Sequence, residues 1–469
     1  MSTHPLRRPD RPRTLPPGLA VTLVALGVAF AAVAPAACER PAGGPASPAS
    51  SGAESARPAP GTEDPVRHRL EIVTHPSGAR VTIRSAEGSE QTGQAPFGVM
   101  AEGGAIDVSA RLDGYNPLVE KIVLDRDRKL DLWLDPARLL HHKLREFMTG
   151  SAPKQVAFSP DGRQLWVTLL GGEGVEVFDP FTGQRTATID LGKHGAVEVI
   201  FSTDGSTAYA SQMESASVFE IDPRTYTVRR QLPTGGVWSK VMALSPDGGT
   251  LYVANWSSNN VSEIDLGTGK VRRLLDTVGT PRGLYAAPDG RRLFVAGFDR
   301  GELARIDLAT GTSKTLLATG GAMRHLVGDP VRGLLYADDM AKDTTYVVDL
   351  ATEQIRKLAG TDEKPNTIDL TPDGKVLYVS NRGENGKSYY VPGPEWGSVL
   401  AIDTATGETL DAIVGGNQTT GLDVSPDGRL LAFSDFLDNR VQIFALPPYA
   451  TLASGHGGRA DAHLADLHK

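Results

Sequence analysis

This sequence predicts an all-β protein, most of it a repeat of short strands. Three observations carry that reading: an excess of turn-forming residues, a Ser-Pro-Asp-Gly element that returns at a near-constant step, and four strand-like runs within each step. Glycine (52) and proline (32) together make up about 18% of the 469 residues, against a usual ~12%. Aromatic residues at 6% and charged residues at 22% exclude a long coiled coil and a disordered acidic chain. The single cysteine excludes an intramolecular disulfide and any cysteine-based zinc or iron–sulfur site. With a net charge of −8, broad coating by nucleic acid is not favoured.

Residues 1–37 read as an export signal. Arg7, Arg8, Arg11 and Arg13 form a cationic start, and the 17 residues from 18 to 34 carry no charge. The small pair Ala36-Ala37 then precedes Cys38. Cys38 directly after that pair resembles a bacterial lipobox, with Pro35 where lipoboxes usually carry Leu. The resemblance implies lipidation at Cys38 and a membrane anchor; cleavage nearby without lipidation and an uncleaved anchor are the alternatives. Removing residues 1–37 takes away four arginines and one aspartate and leaves a net charge of −11. Residues 38–67, rich in Pro, Ala, Gly and Ser and without apolar periodicity, read as a tether. The location expected is the bacterial cell envelope: a membrane-anchored lipoprotein, or a periplasmic or extracellular protein if cleaved without lipidation.

From His68 the texture becomes strand-like. Apolar alternation at 70–73 and 80–83 flanks a His75-Pro76-Ser77-Gly78 turn, and further strands are expected at 105–110, 119–124 and 130–134. Thr74-His75-Pro76-Ser77-Gly78-Ala79, Ala95-Pro96-Phe97 and Leu112-Asp113-Gly114-Tyr115 resemble the PEGA domain. That resemblance implies a small β-sandwich-like module over residues 68–136 with a docking or accessory role.

The repeat follows. Its anchor aspartates are Asp161, Asp204, Asp247, Asp289, Asp373 and Asp427, with Val331 in the slot of one degenerate copy. The steps are 43, 43, 42, 42, 42 and 54. A second aspartate lies 18 residues after each of the first five anchors, at 179, 222, 265, 307 and 349. Asp-Gly turns join strands one and two, and Asp-x-x-Thr-Gly turns join strands three and four, because an Asx side chain bonds its local backbone and Gly accepts positive φ. A period near 42 with four strands is a propeller blade, and seven copies predict a seven-bladed β-propeller with four-stranded blades over residues 142–449. The last unit lacks an outer strand, and 143–150 aligns with the outer strand at 271–278. The early segment is therefore expected to complete the last blade and hide its edge. Tyr252-Val253-Ala254-Asn255 and Tyr378-Val379-Ser380-Asn381 resemble the YVTN-type seven-bladed propeller family, related in fold to lactonases. The resemblance implies an exported protein and no single activity. Residues 450–469 are expected to form a flexible tail.

The repeated turn aspartates and the aromatics five residues past each anchor (Trp166, Tyr209, Tyr252, Phe294, Tyr336, Tyr378) read as structural. Variation lies on the opposite face. Seven residues before each anchor stand Lys154, Val197, Lys240, Arg282, Arg324, Asn366 and Thr420, which predicts a cationic ring at one mouth of the central channel. Like charges so placed call for an anion, or for internal pairing with Glu198, Asp338 or Asp435. A 12-residue insertion between Ser380 and Ser398 brings Arg382, Tyr389, Tyr390 and Trp396 to that face, with Trp238, Trp256 and Phe298 on neighbouring loops. The expected ligand-binding set is Lys154, Lys240, Arg282, Arg324, His325, Asn366, Arg382, Trp238, Trp256 and Trp396.

These residues suit non-enzymatic binding of an anionic or polymeric envelope ligand or a partner protein, by a monomer. No catalytic residue, metal site or cofactor is assigned. The alternative is a lactonase-like hydrolase drawing on His194, Glu198, Arg324, His325 and Arg382 at the same mouth.

Overall fold

The structure, a computed structural model, describes residues 66–468. The expected signal, the lipidation site Cys38 and nearly all of the tether lie outside the described residues. Among those described, no helix is long and apolar enough to cross a membrane.

Residues 67–133 form two packed sheets. One places Arg67–His75 between Phe97–Glu102 and, in parallel, Arg128–Trp133. The other runs Glu90–Gln94, Arg80–Ser85, Gly104–Arg111, Leu118–Leu124. Alternate residues of each strand point between the sheets, so Leu70, Ile72, Val81, Ile83, Ile106, Val108, Leu130 and Leu132 make one buried core.

Seven four-stranded antiparallel sheets follow. Six are built from consecutive strands. The seventh takes Thr419–Val424, Leu430–Asp435 and Arg440–Ala445 from the end of the chain and His142–Met148 from its start. His142–Met148 thus completes the last sheet as the repeat alignment predicts, covering its open edge and joining the two ends of the repeat by backbone hydrogen bonds. The anchor turns work as expected. Asp161 Oδ1 accepts the Ser159 hydroxyl at 2.6 Å and the Arg163 N–H at 3.1 Å, and Gly162 turns the chain at φ 71°. Ser202–Asp204, Ser245–Asp247, Thr371–Asp373 and Ser425–Asp427 repeat the motif. Trp166, Tyr209, Tyr252, Phe294, Tyr336 and Tyr378 are all buried.

The small domain joins the propeller through a buried polar knot. Asp411 Oδ2 accepts His141 Nδ1 at 2.8 Å and the Leu140 N–H at 3.2 Å, and His141 Nε2 meets the Tyr378 hydroxyl at 2.9 Å. The closing residues, expected to be flexible, are instead ordered. Two short helices, α1 (Tyr449–Ala453) and α2 (Arg459–Leu464), bury Leu452 and Ala460, and Leu467 beyond them is buried too. Ala460 packs into the core that contains Ala412, and Arg459 donates to the Leu410 carbonyl at 3.2 Å. The Gly- and His-rich composition hid these widely spaced apolar anchors.

Asp411→Ala removes the acceptor of three donors, the His141 ring and the Leu140 and Ala412 N–H groups, so it is expected to destabilise the fold by about 2–4 kcal/mol. Urea unfolding checks this: the midpoint should fall with little change in slope.

Candidate functional site

The seven positions read as a ring are each the second residue of an inner strand, from Lys154 in Pro153–Phe158 to Thr420 in Thr419–Val424. In all seven sheets the pairing of the inner strand with its neighbour skips at that residue, so each position is a β-bulge. A bulge releases one residue from the ladder and re-aims its side chain, here around one axis. It also frees backbone groups that must be satisfied. Hydroxyls on the second strands do much of this. Ser380 Oγ takes the Thr367 N–H at 3.1 Å and donates to the Thr420 carbonyl of the next blade at 2.7 Å. Thr168 serves Gln155 N–H and the Val197 carbonyl in the same way. Asp338 stands where four of the other blades carry Ser or Thr and two carry Ala, and accepts the His325 N–H at 2.5 Å.

A second tier lies above this ring. The residue nine past each anchor slot is Leu170, Met213, Trp256, Phe298, Met340, Arg382 or Phe436. In six blades its N–H bonds the carbonyl of the residue two before the ring position, for example Trp256 to Trp238 at 3.0 Å and Phe298 to Thr280 at 3.0 Å. That acceptor is left-handed in five blades, including Trp238 at φ 59°. A bulky residue held in this region marks a backbone fixed by its surroundings.

Together the tiers enclose a cavity of about 420 Å³. Lys154, Lys240, Arg282, Arg324 and Arg382 line it, with Trp238, Trp256, Phe298, Met213 and Met340. Tyr389 and Tyr390 of the insertion stand over it, edge to face with each other and with Phe436 close by. Lys154, Arg282, Arg324 and Arg382 are only 7%, 8%, 5% and 1% exposed, so these cations have lost most of their water. None of the five cations lies within ion-pairing distance of a carboxylate among the described residues. The three expected partners are committed elsewhere: Glu198 to the Met242 N–H at 2.5 Å, Asp338 to His325 N–H, and Asp435 to Arg440 at 2.7 Å.

The cations differ in how they are held. Asn366 fixes Arg324, its carbonyl accepting Nε and its Oδ1 accepting Nη2, both at 2.9 Å. Arg382 bonds Gln418 and stacks 4.1 Å from the Tyr389 ring. Lys240 Nζ sits 3.5 Å from the Trp256 ring centre. Lys154 Nζ has no hydrogen-bond partner, and Arg282 bonds no protein acceptor among the described residues. Burial and then the neighbouring Arg282 and Arg324 bring the Lys240 ammonium down to about 6, against the pull of the Trp256 face. Burial, and then Arg282, lowers Arg324 to about 9. Burial raises Glu198 and Asp338, below the ring, to about 7 each.

Three expected residues lie outside the cavity lining: Asn366, which is spent on holding Arg324, His325 and Trp396. His325 follows the ring position and faces a separate cavity in the channel with Glu198 and Asp423, where burial, and then Arg282 and Arg324, lower it to about 3. Trp396 is outside the cavity lining, at the exit of the insertion, where its N–H bonds the Leu467 carbonyl at 2.9 Å. His468 pairs with Glu395 beside it at 3.2 Å, so the ordered tail holds the insertion. The cavity wall contains neither imidazole nor carboxylate, and the hydrolase set is not assembled there. The sequence reading missed the regularity of the upper tier and with it Leu170, Met213 and Met340, although the fixed offset from the anchor would have found them.

Unpaired buried cations oppose folding. Lys154→Met and Arg282→Met are each expected to raise Tm by at least about 2–4 °C, checked by thermal unfolding at low salt.

The fold comparisons agree with this geometry. Residues 67–137 match the PEGA domain, and residues 200–420 match the YNCE-like beta-propeller, a stretch covering most of blades two to six. Antigen Lp49 of Leptospira interrogans is 47% identical over 94 residues, which are 20% of this chain and 21% of that protein. The match therefore spans about a fifth of that relative's length. Hydrazine synthase of Kuenenia stuttgartiensis superposes with a TM-score of 0.56 at 19% identity, over 64% of this chain and 97% of that one, which is a likeness of fold. The chain carries a PEGA domain followed by a YNCE-like beta-propeller.

Proposed function

We propose that this protein is an exported binding module that takes a small anionic ligand, or the anionic terminus of an envelope polymer, in the cavity at the channel mouth. The observation that carries the reading is five basic side chains, four of them buried, converging on one cavity with no carboxylate in its wall. Such an arrangement destabilises the empty protein and is relieved by an anion. A volume of about 420 Å³ falls in the range of small-molecule pockets. The PEGA and propeller domains and the antigen-like relative point to an exported binding or surface protein. Lipidation at Cys38 would tether it to a membrane, with residues 38–67 as spacer.

The pH dependence has a definite sign. An anion binds the charged form of Lys240, which protonates as pH falls through about 6. Glu198 and Asp338 lose their negative charge as pH falls through about 7, which lessens their repulsion of an incoming anion. Both effects strengthen binding on acidification. Calorimetric titration of the purified protein with benzoate, which stays ionised across this range, should show a Kd about 10-fold lower at pH 6 than at pH 8, and weakening by salt. Arg282→Met should abolish it. Binding that is indifferent to salt, pH and Arg282→Met would refute the reading, as would its absence.

A further inference from the structure

Resting on that reading, we infer that the ligand is a hydroxyl-poor aromatic oxyanion of the aryl phosphate or aryl carboxylate class, with its oxyanion on Lys154 and Arg282 and its ring among Trp238, Trp256 and Phe298.

Hydrogen-bond complementarity favours an oxyanion. The cavity wall offers donors almost alone: two lysine amino groups, three guanidinium groups and two indole N–H groups. Asn385 and the two tyrosine hydroxyls are the side chains there able to accept, and no carboxylate joins them. A sugar or a peptide brings many donors of its own, which would be buried against this wall without acceptors. An oxyanion brings acceptors only.

The two tiers differ in polarity. The lower tier holds Lys154, Lys240, Arg282 and Arg324, whereas the upper tier is apolar or aromatic in every blade but that of Arg382. A ligand must therefore present its charge downward and an apolar body upward. Trp256 and Phe298 lie 5.0 Å apart at 41°, and Trp238 remains 45% exposed at the rim, so ring surface is free to receive a planar group.

The oxyanion's place follows from which donors the protein leaves free. Asn366 and Gln418 already occupy donors of Arg324 and Arg382, and Lys240 lies against Trp256. Lys154 Nζ and the Arg282 guanidinium retain their donors, and an oxyanion between them would satisfy both.

The test is a ligand series at fixed pH and low salt, read by calorimetry and by tryptophan fluorescence on the purified protein: 1-naphthyl phosphate, inorganic phosphate and glucose 6-phosphate. The account expects 1-naphthyl phosphate to bind at least about 10-fold tighter than the other two. Trp256→Ala should erase that preference while leaving phosphate binding in place; Phe298→Leu, a milder change, should reduce it if Trp256→Ala does not fold. Equal affinities for all three would overturn the aromatic class and leave the anion-binding reading standing, as would tighter binding of glucose 6-phosphate. Failure of all three to bind would overturn both. A preference that survives both substitutions would also contradict the placement of the ring.

Discussion

Closing seven sheets into a ring forces one residue of each inner strand toward a single axis, and the bulge at that residue makes the convergence sharp. Strand His142–Met148 closes the ring by completing the last sheet, so the site depends on pairing between the two ends of the repeat. Once the ring is closed, the chemistry at the mouth is set by seven side chains at one register. Four of these are cationic, and Arg382 adds a fifth charge from the tier above.

The bulges account for much of the polar architecture below and beside the ring. A released backbone group must find a partner, and Thr168, Ser380, Ser434 and Asp338 provide one in their own blades. Asp338 and Glu198 are thereby tied to backbone N–H groups rather than to the arginines. The cations stay unbalanced because the nearest carboxylates have structural duties, and the same duties hold the ring in place. Stability is conceded at the point where an incoming anion restores it.

The repeat made the fold legible. Turn chemistry at Asp161 and its counterparts, the buried aromatics, and the outer strand at 143–148 all followed from spacing alone. The ring was legible for the same reason: a fixed offset from the anchor finds it. Its state of pairing was not, because Glu198 and Asp338 look like available counter-ions until the bulge hydrogen bonds are seen. His325 is adjacent to a ring residue, yet strand alternation turns it into the channel below. Trp396 sits in the insertion but at its exit, against the tail. The tail itself gave no periodic signal, since five- and six-residue helices anchored by Leu452 and Ala460 leave little pattern to read.

The most direct test of the central claim is a crystal of the protein soaked in tungstate and measured at the tungsten absorption edge. The account predicts an anomalous peak within hydrogen-bonding distance of both Lys154 Nζ and the Arg282 guanidinium. Lys154 or Arg282 paired with a protein carboxylate, and no peak at the channel mouth, would contradict it.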